Sequence, residues 1–378
     1  MKRILIIGGG YAGLTAASRL ARRARGRATV ELIDQRGEHQ ALPVLPDIVG
    51  RGFQPAAMRH PLAKAADRFG FSFRQETVTR LAPETCSVET QGGTHEADAL
   101  VIATGTKTTF HGLSFAENQG MPLDTTEDGE RIRDVLAQNK TRTVVVCGGG
   151  YTGVELATAV RRRDRRENLD RPVVLVDLGN ALCAGVPERF QRYVHRHVLG
   201  MGIDVRTGTS VQNATAEEIV LSDGETLPNA LLLWTAGVGA PDCARSLPAE
   251  KTKQGRLYVE PTLQLAERCF AAGDAAAFRH GDGILRMSVQ FAISQGQCAA
   301  DNALRALEGR APRPFNPFDP GYLIPMANNR ACGLVLGCPV YGRLAIFLHY
   351  TMCSLRSVGF ANRRRVAANA LRSLAARA

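Results

Sequence analysis

The stretch KRILIIGGGYAGLTAASRLARRA, residues 2–24, decides the fold. Arg3–Ile7 is a short apolar run that stops at Gly8-Gly9-Gly10-Tyr11-Ala12-Gly13, and Leu14–Ala24 then takes up helical spacing. A second apolar run, Thr29–Ile33, ends in Asp34, 21 residues beyond Gly13. Lys2 and Arg3 before an apolar run mimic a secretory leader. The run ends after four apolar residues, whereas such a leader needs about 7–15, so it reads as a strand. Strand, glycine turn, helix, strand and acid form the βαβ order of a parallel sheet. In that order each glycine has a task. Gly8 permits the tight turn, Gly10 lets the backbone approach a pyrophosphate, and Gly13 lets helix and strand pack closely. The helix N-terminus offers free N–H groups and a positive dipole end to the phosphates, and Asp34 reaches the ribose hydroxyls.

The order recurs. Thr143–Cys147 is a strand, Gly148-Gly149-Gly150-Tyr151-Thr152-Gly153 is the turn, and a helix runs into Arg161–Arg166. Pro172–Val176 follows and ends in Asp177, 24 residues beyond Gly153. Each copy has a later apolar strand with a small-residue exit: Ala99–Ala103 into Thr104-Gly105, and Ala230–Trp234 into Thr235-Ala236-Gly237. Phe110–Thr126 reads as the connection, and Arg161–Arg166 as the solvated end of its helix. Arg256–Ala272 returns to short strands and meets Gly273-Asp274; Ser288–Leu307 is a helix and Arg310–Pro320 a Pro-rich link. The expected fold class is α/β: two Rossmann-like dinucleotide-binding domains, for FAD and NAD, with a short basic and apolar helical tail. Residues 1–110 and 255–315 would form the first domain, 111–254 the second, and 316–378 the C-terminal region.

Composition narrows the class. Of 378 residues, 44% are hydrophobic and 22% charged, so the chain can build true cores. The net charge of +11 is uneven: from Pro320 to Ala378 there are eight arginines (Arg330, Arg343, Arg356, Arg363, Arg364, Arg365, Arg372 and Arg377) and no Asp or Glu. No aromatic stacking platform accompanies them, so an anionic membrane surface is expected as partner and nucleic acid is not. Leu344–Leu355 is apolar but shorter than the roughly 18 residues that span a bilayer; Ala361–Ala378 reads as a basic amphipathic helix. The nine cysteines include no CxxC pair, which excludes a thioredoxin-like dithiol and a zinc ribbon, and no metal site is expected. A cytoplasmic protein, peripheral on the inner face of the cell membrane, is the expected location.

Two dinucleotide sites in one chain make sense when one holds an electron store and the other a hydride donor. The carboxylate of Asp177 would repel a 2′-phosphate, which favours NADH over NADPH; Arg189 and Arg192 are the nearest cations in sequence. The set GGGYAGL near the start, IATGT at 102–106, VCGGGYTGVELA at 146–157, LWTAGVGAP at 233–241, FAAGDAAAF at 270–278 and QFAISQG at 290–296 resembles type II NADH dehydrogenase, a single-chain FAD-containing NADH:quinone oxidoreductase. The likeness runs to about residue 365.

That resemblance implies a set of roles. Gly8, Gly10, Tyr11, Ala12, Gly13 and Asp34 would hold the FAD pyrophosphate and adenosine ribose. Val78 would contact the adenine, Thr104 and Gly105 would line the flavin, and Gly273-Asp274 would bond the ribityl chain. Gly148, Gly150, Thr152, Gly153, Asp177, Ala236 and Gly237 would hold NADH. Glu155 would sit where nicotinamide stacks on the flavin, and Gln290 would face the quinone; these two are the catalytic candidates. The family's second Gln is replaced by Ser294, with Gln295 one residue on, about 100° around a helix. Quinone or another small acceptor is the expected partner, and a homodimer is compatible with the family. His39 and Trp234 read as structural. A sulfide:quinone oxidoreductase using Cys332 or Cys338, a soluble diaphorase, and a redox sensor similar to apoptosis-inducing factor stay open.

Overall fold

The computed structural model describes residues 1–375; Arg377, counted above in the basic tail, lies outside the described residues. The elements used below begin with β1 (Lys2–Ile7), α1 (Tyr11–Arg23), β2 (Ala28–Asp34), α2 (Pro46–Gly50), β3 (Ser72–Gln75) and β4 (Ala99–Ile102). Next come β5 (Thr143–Cys147), α3 (Tyr151–Arg166), β6 (Val173–Asp177), β7 (Asp204–Thr207) and β8 (Ala230–Trp234). The last are β9 (Gln264–Ala266), β10 (Cys269–Ala271), α4 (Val289–Leu307), β11 (Gly321–Met326), β12 (Arg330–Val335), β13 (Cys338–Tyr341), α5 (Gly342–Arg356) and α6 (Phe360–Ala375).

The chain divides into two compact units. Unit 1 takes Met1–His39, His60–Lys107 and Gly239–Asp319, and unit 2 takes Gln40–Arg59, Thr108–Val238 and Pro320–Ala378. Unit 1 is built on a sheet of order β9-β10-β4-β1-β2-β3, parallel except for the β9–β10 edge. β1 lies between β2 and β4, with Ile7 opposite both Ile33 and Ile102, so the chain reverses its direction of winding at β1. In such sheets ligands bind beyond the carboxyl ends at that reversal, where Gly8 stands. Leu5, Ile7, Ile33, Leu100 and Ile102 pack one face. α1 buries Ala12, Ala16, Ala17, Leu20 and Ala21, the one-sided stripe expected of a helix lying on a sheet. Small residues let α4 come close to α1: a Cβ on Gly296 would stand 2.3 Å from the Ala12 carbonyl oxygen.

Unit 2 repeats the plan with a parallel sheet of order β7-β6-β5-β8. Both faces are covered, so its strands are apolar at consecutive positions rather than alternate ones. Val144, Val146, Leu231 and Leu233 point into one core with Val154, Leu156 and Val160 of α3. Val145, Cys147, Leu232 and Trp234 point into the other. Trp234 is core, as expected; its Nε1 donates to the Thr109 carbonyl at 2.9 Å. The connection expected over Phe110–Thr126 contains a short helix, Ser114–Gln119, and Phe110 and Phe115 flank Trp234. β11, β12 and β13 form an antiparallel sheet ahead of α5 and α6, a feature with no counterpart in the sequence pattern.

One expectation is corrected. Arg161, Arg162 and Arg163 are buried, and only Arg165 and Arg166 are exposed. Backbone carbonyls and a carboxylate of the same unit meet their guanidinium groups. Arg161 donates to Arg171 and Gly202, Arg162 to Ala327 and Ser373, and Arg163 to the Glu167 side chain. A buried cation so supplied with acceptors is tolerated, and an arginine run in sequence does not reveal whether carbonyls await it.

Candidate functional site

In unit 1 the cradle is built as the glycine pattern requires. Gly8 has φ +105°, and a Cβ there would lie 2.3 Å from the Ala103 carbonyl oxygen. At Gly13 a Cβ would stand 1.8 Å from the Gly8 oxygen, so only glycine fits. A Cβ on Gly10 would meet nothing within 4 Å. Gly10 is also the N-cap of α1, with no side chain capping it, which leaves the first N–H groups for an anion. Asp34 accepts the Gly9 N–H at 2.6 Å and the Arg36 N–H at 2.5 Å, and burial pushes its carboxyl up against those two bonds. His39 is buried beneath the turn. Its Nδ1 lies 3.0 Å from the Gly9 carbonyl and its ring meets Tyr11 edge-on at 4.7 Å.

Unit 2 holds a second cradle of like build. Gly148 has φ +110° and is pressed against Thr235; a Cβ on Gly153 would stand 1.7 Å from the Gly148 oxygen, and one on Gly150 would meet nothing. Gly150 caps α3, again without a side-chain partner. Asp177 accepts the Gly149 N–H at 2.5 Å and the Gly179 N–H at 2.7 Å. Thr152 is exposed on the first turn of α3. The Ala236-Gly237 turn is held by His111, whose Nε2 lies 2.6 Å from the Ala236 carbonyl. Arg192 pairs with Glu188, and Arg189 lies over the Phe190 ring at 5.0 Å, so each already has an interaction of its own.

The remaining residues of the first domain fall as follows. Thr104 and Gly105 follow β4, and the Thr104 hydroxyl is buried with no hydrogen-bond partner among the described residues. A buried hydroxyl without a partner costs free energy unless a ligand meets it. Val78 is half-buried and opens the strand Val78–Ala82. Gly273, at φ +71°, packs against Ala12, where a Cβ would come within 2.9 Å. Its N–H donates to Oε1 of Gln295 at 2.8 Å, and Gln295 is 2% exposed. Gln295 therefore positions the Gly273-Asp274 turn, a task the sequence does not disclose. Burial raises the Asp274 carboxyl, opposed by the charge of Arg256. Ser294 bonds back to the Gln290 carbonyl at 3.0 Å, and Gln290 is half-buried in the first turn of α4. The free helix ends, the room at Gly10 and Gly150, and the partnerless Thr104 hydroxyl fit a dinucleotide in each cradle and an isoalloxazine beside Thr104.

Glu155 lies in the second turn of α3 and lines a small cavity that opens to solvent. Asp47, Arg51, His349 and Tyr350 line the same space. Burial, and then the charge of Asp47, raise the Glu155 carboxyl well above its ordinary value. Sequence reasoning misses these four neighbours. The Tyr350 hydroxyl donates to Asp47 at 2.9 Å across 303 positions, and no local motif announces such a pair. Cys332 is fully buried, and burial pushes its thiol up to about 12, which leaves it no thiolate for carrying sulfur.

Residues 2–303 match the pyridine nucleotide-disulphide oxidoreductase family. A demethylphylloquinone reductase of Synechocystis sp. is 29% identical over 91% of this chain and 89% of its own length. A type II NADH:quinone oxidoreductase of Staphylococcus aureus is 24% identical over 92% and 93%. Among solved structures, NDH2 of Plasmodium falciparum in complex with NADH superposes with a TM-score of 0.85 over 98% of both chains, at 14% identity. The sulfide:quinone oxidoreductase of Aquifex aeolicus gives 0.78 over 94% and 90%, at 18% identity, a likeness of fold. The resemblance to type II NADH dehydrogenases is borne out, and with it the two-domain flavoprotein fold. The chain belongs to the pyridine nucleotide-disulphide oxidoreductase family.

Proposed function

We propose that this protein is an FAD-dependent NADH:quinone oxidoreductase, with FAD in the cradle of unit 1 and NADH in that of unit 2. The observation that carries the reading is the pair of like-built cradles, Gly8–Gly13 with Asp34 and Gly148–Gly153 with Asp177. FAD, when bound there, would supply the two-electron chemistry that links nicotinamide to the acceptor. The chain's own residues bind and orient. The helix ends of α1 and α3 hold the pyrophosphates, Asp34 and Asp177 take the riboses, Val78 meets the adenine of FAD, and the Gly273-Asp274 turn takes the ribityl chain. Thr104 and Gly105 line the flavin, Ala236 and Gly237 line the nicotinamide side, and Gln290 faces the acceptor. A quinone fits as acceptor because the relatives named above are quinone reductases. NADH and a quinone need one further proton to give NAD⁺ and a quinol, and Glu155, whose carboxyl is raised by burial and by Asp47, is suited to hold it.

The same reading includes peripheral attachment to an anionic membrane. Leu344, Phe347, Leu355, Phe360 and Leu371 are exposed on α5 and α6, and Arg343, Arg363, Arg364, Arg365 and Arg372 are exposed on the same two helices. That mixture suits a helix lying in a lipid interface. No helix among the described residues is long and apolar enough to cross a membrane. The deciding experiment is anaerobic reduction of the FAD-loaded protein by NADH, followed by reoxidation with menaquinone and ubiquinone analogues. Bleaching of the flavin by NADH and faster reoxidation by quinone than by oxygen are expected; equal rates with quinone and oxygen remove the quinone assignment.

A further inference from the structure

Three segments of unit 2 bring their charges to one small cavity. α2 and its C-cap supply Asp47 and Arg51, α3 supplies Glu155, and α5 supplies His349 and Tyr350; Arg162 and Cys353 act on these groups from beyond the lining. The two acids are held very differently. Asp47 accepts the Tyr350 hydroxyl at 2.9 Å and pairs with Arg51 Nε at 3.0 Å. Arg51 is itself fixed. It donates to Asn329 at 2.6 Å, to Ser373 at 2.8 Å and to the Met326 carbonyl at 3.2 Å, with its guanidinium 5.4 Å from the Tyr350 ring centre. Glu155 has no such cation among the described residues: burial and the charge of Asp47 act on it, and both act the same way. Two acids facing one space do not ionise independently, and the one with cationic partners gives up its proton first.

We propose that Asp47 is a positioning residue for the proton of Glu155, a carboxylate locked by Tyr350 and Arg51 whose fixed negative charge adds to burial in holding Glu155 in its acid form. Other charges around the pair do not upset this order. Burial, with Arg51 and Arg356, pushes His349 down to about 3, so its imidazole is neutral; burial raises Tyr350, and Cys353 and Cys183 are likewise raised and uncharged. Arg51 and Arg162 favour ionised Asp47, although burial still pushes it up to about 6. Asp47, the acid with cationic partners, therefore ionises before Glu155. The sequence of α2 carries no mark of this role. The purpose of the held proton rests on the NADH:quinone reading, but its existence does not.

The test is a pH titration of the FAD-loaded protein followed by infrared difference spectroscopy, with neither NADH nor quinone present. E155Q identifies the protonated-carboxyl band that belongs to Glu155. In D47N that band is expected to disappear at a pH lower by about one unit or more. Tyr350→Phe removes a donor to Asp47 but keeps the charge, so the lower step, near pH 6, should rise while the Glu155 step stays in place. A Glu155 band that titrates at the same pH in D47N as in the unaltered protein, with an unaltered near-ultraviolet dichroism spectrum, overturns the proposal. If D47N does not fold, Asp47→Ser, likewise uncharged, takes its place under the same criterion: a Glu155 band that titrates at an unaltered pH overturns the proposal, and one that disappears at lower pH supports it. Loss of quinone turnover with the titration as described would sink the functional reading and leave this one standing.

Discussion

At the scale of single residues, the acids and one histidine make the sharpest predictions. On the proposed function, Asp177 would carry the discrimination between NADH and NADPH through repulsion of a 2′-phosphate. Asp177→Ala should narrow the NADH/NADPH ratio of kcat/KM by about tenfold or more, on the order of 1.4 kcal/mol; an unchanged ratio removes the ribose role. The histidine is His39, a structural residue whose burial pushes its imidazole down to about 4, partly opposed by its bond to Gly9. A folded-state value below the ordinary one means that the stability is fully present above about pH 6.5 and lost as pH falls towards 4. The loss is at most about 3 kcal/mol. His39→Asn, which can still donate to the Gly9 carbonyl, should flatten the difference in unfolding free energy between pH 7 and 4.5, measured by denaturant titration. Asp34 and Asp177 stand out in the chain because each ends the strand that follows a glycine turn, and each accepts a backbone N–H of that turn. Asp47 and Tyr350 do not stand out, because their meaning lies in a contact between segments far apart in the chain.

At the scale of elements, the strand–turn–helix junctions are legible because sterics leave glycine alone at their tightest points. Gly10 and Gly13 should separate two roles that look alike in the motif. Gly13→Ala drives a methyl group into the Gly8 carbonyl and should cost the local turn, read as loss of bound flavin together with lowered thermal stability. Gly10→Ala meets no protein atom, so the apoprotein should keep its stability while FAD affinity falls at least tenfold by titration calorimetry. A Gly10→Ala protein that binds FAD normally would remove the pyrophosphate from this turn. Gln295→Leu leaves the buried Gly273 N–H without an acceptor, at about 1–3 kcal/mol; an unchanged melting temperature of the FAD-loaded protein would contradict that task. Periodicity places α4 correctly but cannot say which of its polar residues turn inward. The buried arginines of α3 defeat a sequence reading for the same reason: helical spacing shows a face, not the carbonyls that meet it.

At the scale of the whole molecule, the double βαβ order and its glycine turns make the α/β class and its two cradles readable from sequence. The β11–β13 sheet and the joining of residues 40–59 to unit 2 are not, because both depend on long-range packing rather than on local pattern. The basic tail predicts a salt-sensitive attachment. Co-sedimentation with vesicles containing phosphatidylglycerol should exceed that with pure phosphatidylcholine and fall as salt rises from about 50 to about 300 mM; equal binding to both lipids would remove the electrostatic part. The two cradles have one more consequence. On the proposed function each would recognise the half-molecule that FAD and NADH share, an adenosine joined to a pyrophosphate, so neither turn could tell one visitor from the other. On the proposed function, identity would be read at the far ends, by Thr104 and Asp274 in one unit and by Glu155 and Gly237 in the other. ADP alone carries no such far end. It should compete with both cofactors, slowing the reloading of apoprotein with FAD as well as the turnover of NADH.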